Sequence, residues 1–424
     1  MTDYSNSFKK LISTSGINFF FRLFGLSTSF ISSLVITRFF GVVTFGNYSL
    51  VFAISQLVSL FFTLGIPNTL IKIIGNKNLD IYEAKALLKK GIKAVLLFSI
   101  IPIIIFYFGA NFISLSIFGT TDLISYFLIV SFSIPLFIVH ELFLYFFMAN
   151  KKFMLYNLFM FVIPNGLFLL CLFFFYQLNL SNPYTFLAFS VAITTTVLYE
   201  TATVFDLKPK KTYTSITTKE LLKTASPLLF SGLFIYLLNY SNVIMLGILT
   251  DEAQVGIYNI AYKIGSIGFL IIVTISTIVT PKMASLYGHG NLADFKKLTH
   301  NATRLIAVLS TPIVLILIIF SKIILSFWGP EVVAGSTTLV IVSIGVLFSA
   351  MAGNVDQILN MTNNQNILRN ITLISFFINL GLSYLLIPLY GIEGAAFSSL
   401  LTNILINVLC LYYIKKKLGF YTLF

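Results

Sequence analysis

Long apolar runs, each separated from the next by a short polar or charged segment, follow one another from end to end of the chain. A helix needs about 20 apolar residues to cross roughly 30 Å of hydrocarbon. None of the runs alternates between apolar and polar positions as the strands of a membrane barrel do. The pattern therefore predicts an all-α integral membrane protein with about twelve transmembrane helices, at approximately 11–36, 45–74, 93–112, 123–149, 154–177, 184–205, 225–249, 256–281, 302–321, 336–361, 371–388 and 394–414.

The composition excludes an ordinary soluble enzyme. Hydrophobic residues make up 58% of the 424 residues and charged residues only 10%, whereas soluble domains carry about a quarter charged residues. The net charge of +13 comes from short basic clusters between apolar runs, which is typical of membrane loops, so we expect no nucleic-acid partner. Cys171 and Cys410 lie inside apolar runs, and the three histidines form no zinc-spaced cluster, so we expect no disulfide and no metal site.

The basic residues predict how the chain is oriented. If the N-terminus lies inside, all but four of the 27 lysine and arginine residues fall on inner segments or inner span ends. Arg38 and Lys322 fall outside, and Arg22 and Lys263 lie within spans. Such an asymmetry predicts that both termini are cytoplasmic. Binding of a polyanion by the basic clusters is the less favoured alternative.

The two halves of the chain resemble each other. The sequence Phe-Gly-Asn-Tyr at 45–48 has a counterpart in Val-Gly-Ile-Tyr at 255–258, and Met148-Ala149-Asn150 has one in Met361-Thr362-Asn363, 213 residues later. Six spans return the chain to the same side, so we predict two parallel six-helix lobes, 1–206 and 207–424. Two similar lobes are typical of secondary transporters that work by alternating access.

Arg22 is predicted in the middle of the first span, where an arginine costs about 2.5–3.5 kcal/mol. It therefore faces a polar interior, either a cavity or neighbouring carbonyls in tight packing, and we favour the cavity. Residues at helical spacing around it form one small or polar stripe, Thr14, Asn18, Arg22, Gly25, Ser29 and Ser33.

Other polar groups within the spans are candidates for binding. Lys263 and Asn259 share a face in the outer part of span eight, and Asn242 lies in span seven; each could instead snorkel or bond a neighbouring helix. Asp356 in span ten and Glu141 near the inner end of span four are candidates for binding a coupling proton or sodium ion. For Glu141, and for Glu200 at the end of span six, a structural role is favoured.

The sequence contains no nucleotide-binding loop, and no soluble segment is long enough for an ATPase domain. We therefore expect no cofactor, and energy that comes from a gradient, a potential or a partner. Catalysis would need a constellation of carboxylates or nucleophiles in a water-accessible pocket, and none is convincingly spaced. A transporter is favoured over an enzyme.

Four motifs, in this order over the twelve spans, resemble the O-antigen translocases among the polysaccharide flippases of the multidrug/oligosaccharidyl-lipid/polysaccharide (MOP) exporter superfamily. They are Arg38-Phe39-Phe40-Gly41 with the following Phe-Gly-Asn-Tyr, residues 242–247 with 255–261, residues 280–287, and residues 390–396.

The resemblance implies a V-shaped pair of lobes around a central cavity. It implies transport of an undecaprenyl-diphosphate-linked oligosaccharide repeat unit from the cytoplasmic to the periplasmic leaflet of the bacterial inner membrane, for the biosynthesis of O-antigen (lipopolysaccharide) or a related surface polysaccharide. The partners would be membrane lipid, a polysaccharide polymerase and a chain-length regulator. Related lipid II flippases hold the diphosphate with cations of the first and eighth helices, and Arg22 and Lys263 lie on similar helices here.

The nearest alternative is a multidrug or organic-cation antiporter of the same superfamily. A site for organic cations needs buried carboxylates and aromatic rings, whereas the deepest predicted charge in this chain is the cation Arg22. The sign of the charge in the cavity therefore discriminates between the two functions.

Overall fold

The computed structural model describes residues 20–77, 79–180, 182–205 and 214–423, and every regular element in these ranges is helical. The chain divides into two compact units, Met1–Leu233 (unit 1) and Phe234–Phe424 (unit 2). The predicted lobe boundary at residues 206 and 207 lies outside the described ranges, and the division between the units falls within a helix instead.

Unit 1 is built around a central helix, α6, which packs against α2, α3, α4, α5 and α9. Turns of π-helix extend α5 and join α7 to α8. The helices of the unit are α1 (Phe20–Phe40), α2 (Val42–Phe62), α3 (Ile66–Lys77), α4 (Ile81–Phe98), α5 (Ile100–Phe112), α6 (Leu123–Ala149), α7 (Phe153–Asn157), α8 (Ile163–Gln177) and α9 (Tyr184–Val204).

Unit 2 has a central helix of its own, α15, which packs against α11, α13 and α17. The preceding helix α10 (Thr218–Leu249) begins in unit 1 and ends in unit 2. The helices that follow are α11 (Glu252–Gly265), α12 (Phe269–Gly288), α13 (Leu292–Ile319), α14 (Ser321–Ser326), α15 (Ser336–Ala352), α16 (Val355–Met361) and α17 (Gln365–Leu418).

The twelve predicted spans all correspond to helices among the described residues. Ten helical segments there are long and apolar enough to cross a membrane. One of them, α17, has 54 residues and is kinked at Gly391 (φ 55°), after Pro388, so it supplies spans eleven and twelve. Span seven is α10, whose apolar part is Tyr236–Leu249. The central helices α6 and α15 are therefore the fourth and tenth spans, the fourth of each set of six.

Exposed apolar side chains cover the outer faces of these helices. Phe108 of α5, Ile319 of α13 and Leu389 of α17 are 77%, 70% and 72% exposed. Soluble proteins rarely expose large contiguous apolar surfaces, whereas a bilayer accepts them. The predicted fold class is confirmed: the protein is an all-helical, multi-pass membrane protein.

Two predicted spans are shorter than the hydropathy pattern indicated. The second was predicted over 45–74 but ends at Phe62, because Leu64 (φ 56°) and Gly65 (φ 73°) form a turn before α3. The tenth was predicted over 336–361 but ends at Ala352. Both breaks occur in apolar or small residues, which hydropathy does not distinguish from continuing helix.

Glycine ends the tenth span. Gly353 has φ 78°, and a Cβ atom there would overlap the side chain of Thr303. The chain restarts as the short helix α16, which carries Asp356 at an exposed position. The prediction that Asp356 lies inside span ten is therefore wrong.

Candidate functional site

Arg22 lies in the first described turn of α1, 16 residues before Arg38 near the other end of that helix. At 1.5 Å per residue the two arginines are roughly 24 Å apart along the axis, out of about 30 Å of hydrocarbon. If Arg38 marks one membrane surface, Arg22 lies near the opposite one. The described part of α1 begins at Phe20 and continues to Phe40, four residues beyond the predicted end of the first span.

The faces of α1 show what Arg22 contacts. Phe20 and Ile31 are 67% and 50% exposed, whereas Arg22 is half-buried on another side of the helix. Gly25, one turn after Arg22, lies so close to Phe161 that a Cβ atom would come within 2.9 Å of the phenylalanine Cβ. Part of the predicted polar stripe therefore packs against the fifth span. Asn18, another predicted member of the stripe, lies outside the described residues.

One nitrogen of the Arg22 guanidinium is buried without a partner. Within the described ranges its Nε atom has no hydrogen-bond acceptor, and a buried donor left unpaired costs about 1–3 kcal/mol. The phenol of Tyr156, on α7, interacts electrostatically with Arg22. Because α7 follows directly on Lys151 and Lys152, this end of the first span lies on the side of the membrane that carries those lysines, hereafter the basic side.

A histidine and a glutamate pair inside unit 1, next to this region. The Nδ1 atom of His140 lies 3.0 and 3.1 Å from the two carboxylate oxygens of Glu200. The side chain of Glu200 is fully buried and that of His140 is 12% exposed. The pair joins α6 to α9, and the donor is Nδ1 when the histidine carries a proton there.

Glu141 of α6 lies beside this pair, and Tyr156 lies on α7, which packs against α6. Glu141 is half-buried, adjoins His140 in sequence and interacts electrostatically with it. It also interacts with Tyr156, which in turn interacts with Arg22. These five side chains from four helices (Arg22, Tyr156, Glu141, His140 and Glu200) are called the unit 1 cluster below.

The His140–Glu200 pair was not predicted. The sequence predicts both glutamates near the inner ends of their spans but does not pair His140 with Glu200, which is 60 residues away. A signal was present: spans four and six run in the same direction, and both residues lie near the inner ends of their spans. Two ionisable groups of opposite charge at similar depth in adjacent spans are expected to pair.

Lys263 lies in the first third of the helical segment that contains it. It follows Glu252, the first residue of α11, by 11 residues, in the 37-residue segment Glu252–Gly288. It is half-buried and lies three residues before the 3₁₀ turn Ser266–Gly268. Asn259, one turn earlier, is also half-buried and lies on the same face.

The side-chain amide of Asn242 makes its hydrogen bonds within unit 2. Its Nδ2 donates to the hydroxyl of Ser399 and, at 3.4 Å, to the carbonyl of Ala395. Its Oδ1 accepts from the hydroxyl of Ser383 at 2.8 Å. The side chain is 5% exposed, so in this structure it joins α10 to α17 and presents no free polar atom to a ligand.

The remaining predicted ion site is exposed. Asp356 on α16 accepts a hydrogen bond at 2.9 Å from Gln357, and none of the unit 1 cluster lies in its unit. Among the described residues, no three histidine, cysteine, aspartate or glutamate side chains are close enough to hold a metal ion.

The chain matches two family models. One, described as polysaccharide biosynthesis protein, matches residues 8–287, well over half of the chain, and the other, MatE, matches residues 227–385.

The probable flippase AglR of Haloferax volcanii is 28% identical over 181 residues, 42% of this chain and 38% of that protein. The capsular polysaccharide biosynthesis protein CapF of Staphylococcus aureus is 27% identical over 201 residues, 47% of this chain and 50% of CapF. The chain thus spans half or less of the length of these relatives.

Two solved structures share the fold over nearly the whole chain. The lipid II flippase MurJ in an inward closed conformation matches with a TM-score of 0.77 at 17% identity, covering 95% of this chain and 87% of MurJ. An inward-facing multidrug resistance MATE family transporter of the MOP superfamily matches with a TM-score of 0.72 at 13% identity, covering 96% and 94%. The family match and these folds lead to one conclusion: the chain belongs to the polysaccharide biosynthesis protein family and has the membrane-transporter fold of the MOP superfamily.

Proposed function

We propose that the protein is a flippase for a lipid-linked glycan. Its substrate is an undecaprenyl-diphosphate-linked oligosaccharide repeat unit, which it moves from the cytoplasmic to the periplasmic leaflet of a bacterial inner membrane by alternating access. Both termini are cytoplasmic, so the basic side is the side from which substrate enters. The product serves O-antigen or related surface polysaccharide, on which a polymerase and a chain-length regulator then act.

The single observation that carries this proposal is the unpartnered guanidinium nitrogen of Arg22, in a chain of this family. A guanidinium presents a planar fork that grips two phosphate oxygens at once. Arg22 lies near the basic side, where the diphosphate of a cytoplasmic-leaflet lipid also lies. A phosphate oxygen would provide the acceptor that the buried Nε lacks.

Lys263 and Asn259 form the second station in this proposal. In this proposal Lys263 lies in the outer part of its span, so it is farther from the basic side than Arg22. An ammonium is a point charge on a flexible stem, so it can receive a diphosphate in several orientations and release it more readily than a bidentate arginine. Passage from Arg22 to Lys263 moves the anion outward.

The membrane potential assists such a movement. A diphosphate diester carries two negative charges, and moving one charge through 100 mV is worth about 2.3 kcal/mol. With the cell interior negative, outward movement of both charges is favoured by roughly twice that amount if nothing neutralises them on the way.

The organic-cation antiporter is the second candidate, because residues 227–385 match the MatE family model. Unit 1 contains the carboxylates of Glu141 and Glu200 that a cation site needs, but Glu200 is already paired with His140. Arg22, whose Nε has no acceptor, instead favours an anionic cargo.

Proteoliposomes test the two candidates in parallel. A fluorescent undecaprenyl-diphosphate-linked disaccharide is placed in the lipid, and its exposure on each leaflet is followed by a membrane-impermeant quencher; efflux of ethidium is followed in the same vesicles. We expect protein-dependent translocation of the lipid-linked sugar and no ethidium efflux. Ethidium efflux without movement of the lipid-linked sugar would contradict the proposal and support the antiporter.

A further inference from the structure

One face of α13 is exposed along the whole helix and changes from basic to apolar. Residues three and four positions apart share a face of a helix. Lys297, Asn301 and Arg304 are spaced in this way, and all three are exposed. The same face continues through four exposed apolar positions, Val308, Pro312, Leu315 and Ile319. Such a face suits contact with lipid, with its basic end at the level of the headgroups and its apolar part at the level of the acyl chains.

The basic end of this face forms a shallow, open cavity of about 370 Å³, lined by Ala293, Lys296, Lys297, His300, Asn301 and Arg304. Neither the two lysines nor the arginine forms an ion pair with a carboxylate of the described residues. The acid next to them in sequence, Asp294, accepts a hydrogen bond at 2.7 Å from the side chain of Asn291 instead. The cavity is therefore left with an excess of positive charge.

A second basic segment lies beside the first. Lys415–Lys417 are exposed in the last turn of α17, and the Nζ atom of Lys415 lies 5.0 Å from the centre of the Tyr421 ring. The Nε2–H of His300 donates to the backbone carbonyl of Tyr421 at 2.7 Å, since a carbonyl can only accept. Phe420, between these contacts in sequence, is buried. Packing of residues 420 and 421 thus holds two groups of like charge side by side, although like charges repel.

We propose that this basic surface, Lys296–Arg304 of α13 with Lys415–Lys417 of α17, binds the phosphate headgroup of an anionic phospholipid of the surrounding bilayer. Clustered basic residues at a membrane surface recognise anionic headgroups. The guanidinium of Arg304 can grip two phosphate oxygens at once, and the acyl chains lie along the apolar continuation of the same face. The site is separate from the path proposed for the lipid-linked glycan, and it does not depend on that function.

A lipid fits this surface better than a soluble anion does. The cations of the cavity are exposed, and salt screens exposed charges over about 10 Å, so a free phosphate ion gains little from them. A phospholipid adds the contact of its chains with the apolar positions from Val308 to Ile319. The surface therefore selects a ligand that is anionic at one end and apolar at the other.

Quenching of tryptophan by brominated lipid measures which lipid occupies the site. The chain has a single tryptophan, Trp328, so Trp328→Phe gives a background in which Val308→Trp is the reporter; Val308 is 68% exposed and lies one turn from Arg304. The full chain is reconstituted in phosphatidylcholine that contains, at equal fraction, either brominated phosphatidylglycerol or brominated phosphatidylcholine. We expect phosphatidylglycerol to bind beside the reporter at least about fivefold more tightly, the contribution of one cation near an anionic membrane surface.

Two charge variants in the same background locate the preference. Lys297→Gln with Arg304→Gln should bind the two lipids with nearly equal affinity. Lys89→Gln with Lys93→Gln removes the same charge from exposed positions of α4 in unit 1 and should keep the preference. Equal quenching by the two lipids without any charge variant, or a preference that survives the α13 variant, would overturn the site. Loss of the preference in the α4 variant as well would overturn it too, because the attraction would then come from the net charge of the protein.

Native mass spectrometry of the otherwise unchanged chain decides the matter if the tryptophan-free background does not fold. The purified protein is mixed in detergent with equal amounts of phosphatidylglycerol and phosphatidylcholine. More bound phosphatidylglycerol than phosphatidylcholine, with the excess lost in Lys297→Gln with Arg304→Gln, would support the site. The same lipids bound to both proteins would overturn it.

Discussion

The two units bury polar groups of different kinds. Unit 1 buries ionisable side chains: Glu200 is fully buried with His140, and Arg22 and Glu141 are half-buried nearby. Unit 2 buries mostly amides and hydroxyls, several of which are bonded to each other. Ionisable side chains can bind a charged ligand, whereas neutral amides and hydroxyls mainly hold helices together.

The neutral network of unit 2 is extensive. Ser241 donates to the Oδ1 of Asn379 at 2.9 Å, and the Nδ2 of Asn379 donates to Thr402 at 3.2 Å. Farther along, Ser349 donates to Asn403 at 2.8 Å, and Asn407 donates to both of them. These bonds tie α10 and α15 to α17.

The difference has an energetic reason. A neutral hydrogen bond between membrane helices contributes about 0.6 kcal/mol on average, and its loss leaves no charge behind. An ionisable group in a span is expensive unless it is paired, and such groups commonly mark a pathway for ions or substrate. We therefore propose that the residues of unit 1 bind the charged part of the substrate and that most of the polar network of unit 2 is structural, with Lys263 as the exception.

Breaking the buried pair of unit 1 is expected to have the largest effect on stability. Replacing His140 with leucine leaves the carboxylate of Glu200 buried and unpaired, which destabilises the fold by about 3–5 kcal/mol. Thermal unfolding of the detergent-purified variant measures the loss. The double variant His140→Leu, Glu200→Met removes both charges and should recover most of the stability; a single variant as stable as the wild type would contradict the pairing.

Removing an amide from unit 2 is expected to have a smaller effect. Asn379→Val deletes two hydrogen bonds, and the hydroxyls it leaves can turn to backbone carbonyls, so we expect a loss of about 1–2 kcal/mol. Transport per folded molecule should stay near the wild-type rate. Asn239→Val, at an exposed position of α10, is the control. Loss of transport at full abundance in Asn379→Val would show that unit 2 also performs chemistry there.

Replacing Lys263 tests whether a residue of unit 2 also takes part in transport. As the second station for the diphosphate, it should matter less than Arg22, and we expect Lys263→Ala to slow translocation several-fold while Lys263→Arg retains most of it. The lipid-linked sugar assay in proteoliposomes gives both rates. Equal rates for Lys263→Ala and the wild type would remove Lys263 from the path.

Replacing Asp356 is expected to have the smallest effect on translocation. It is exposed on α16 and hydrogen-bonded only within that helix among the bonds described. We therefore expect Asp356→Asn to translocate at close to the wild-type rate. A loss of transport that an imposed proton or sodium gradient no longer modulates would restore Asp356 as an ion-coupling residue.

Much of the fold could be predicted because apolar length is a strong signal. All twelve predicted runs correspond to helices, and two of them were predicted too long because the backbone turns at an apolar or small residue. Leu64 adopts φ 56° and Gly353 φ 78°, and neither interrupts an apolar run. The misplacement of Asp356 follows from the second of these turns.

The site could be predicted only in part. Arg22 was identified because a cation in an apolar run is visible in sequence, whereas its depth depended on where α1 ends. The pairing of His140 with Glu200 depends on how α6 packs against α9. The hydrogen bonds that occupy the side-chain amide of Asn242 depend on the kinked course of α17. Hydropathy contains neither kind of information.

Replacement of Arg22 is the most direct test of the central claim. Surface-polysaccharide export and the abundance of the protein in the membrane are measured together for Arg22→Ala, Arg22→Lys and, as the matched control at the other end of the same helix, Arg38→Ala. We predict that Arg22→Ala reduces export per folded molecule at least about tenfold, the loss of one charge-assisted bond of about 1.5–3 kcal/mol. Arg22→Lys should retain part of the export and Arg38→Ala nearly all of it. An abundant Arg22→Ala protein with unimpaired export would contradict the account.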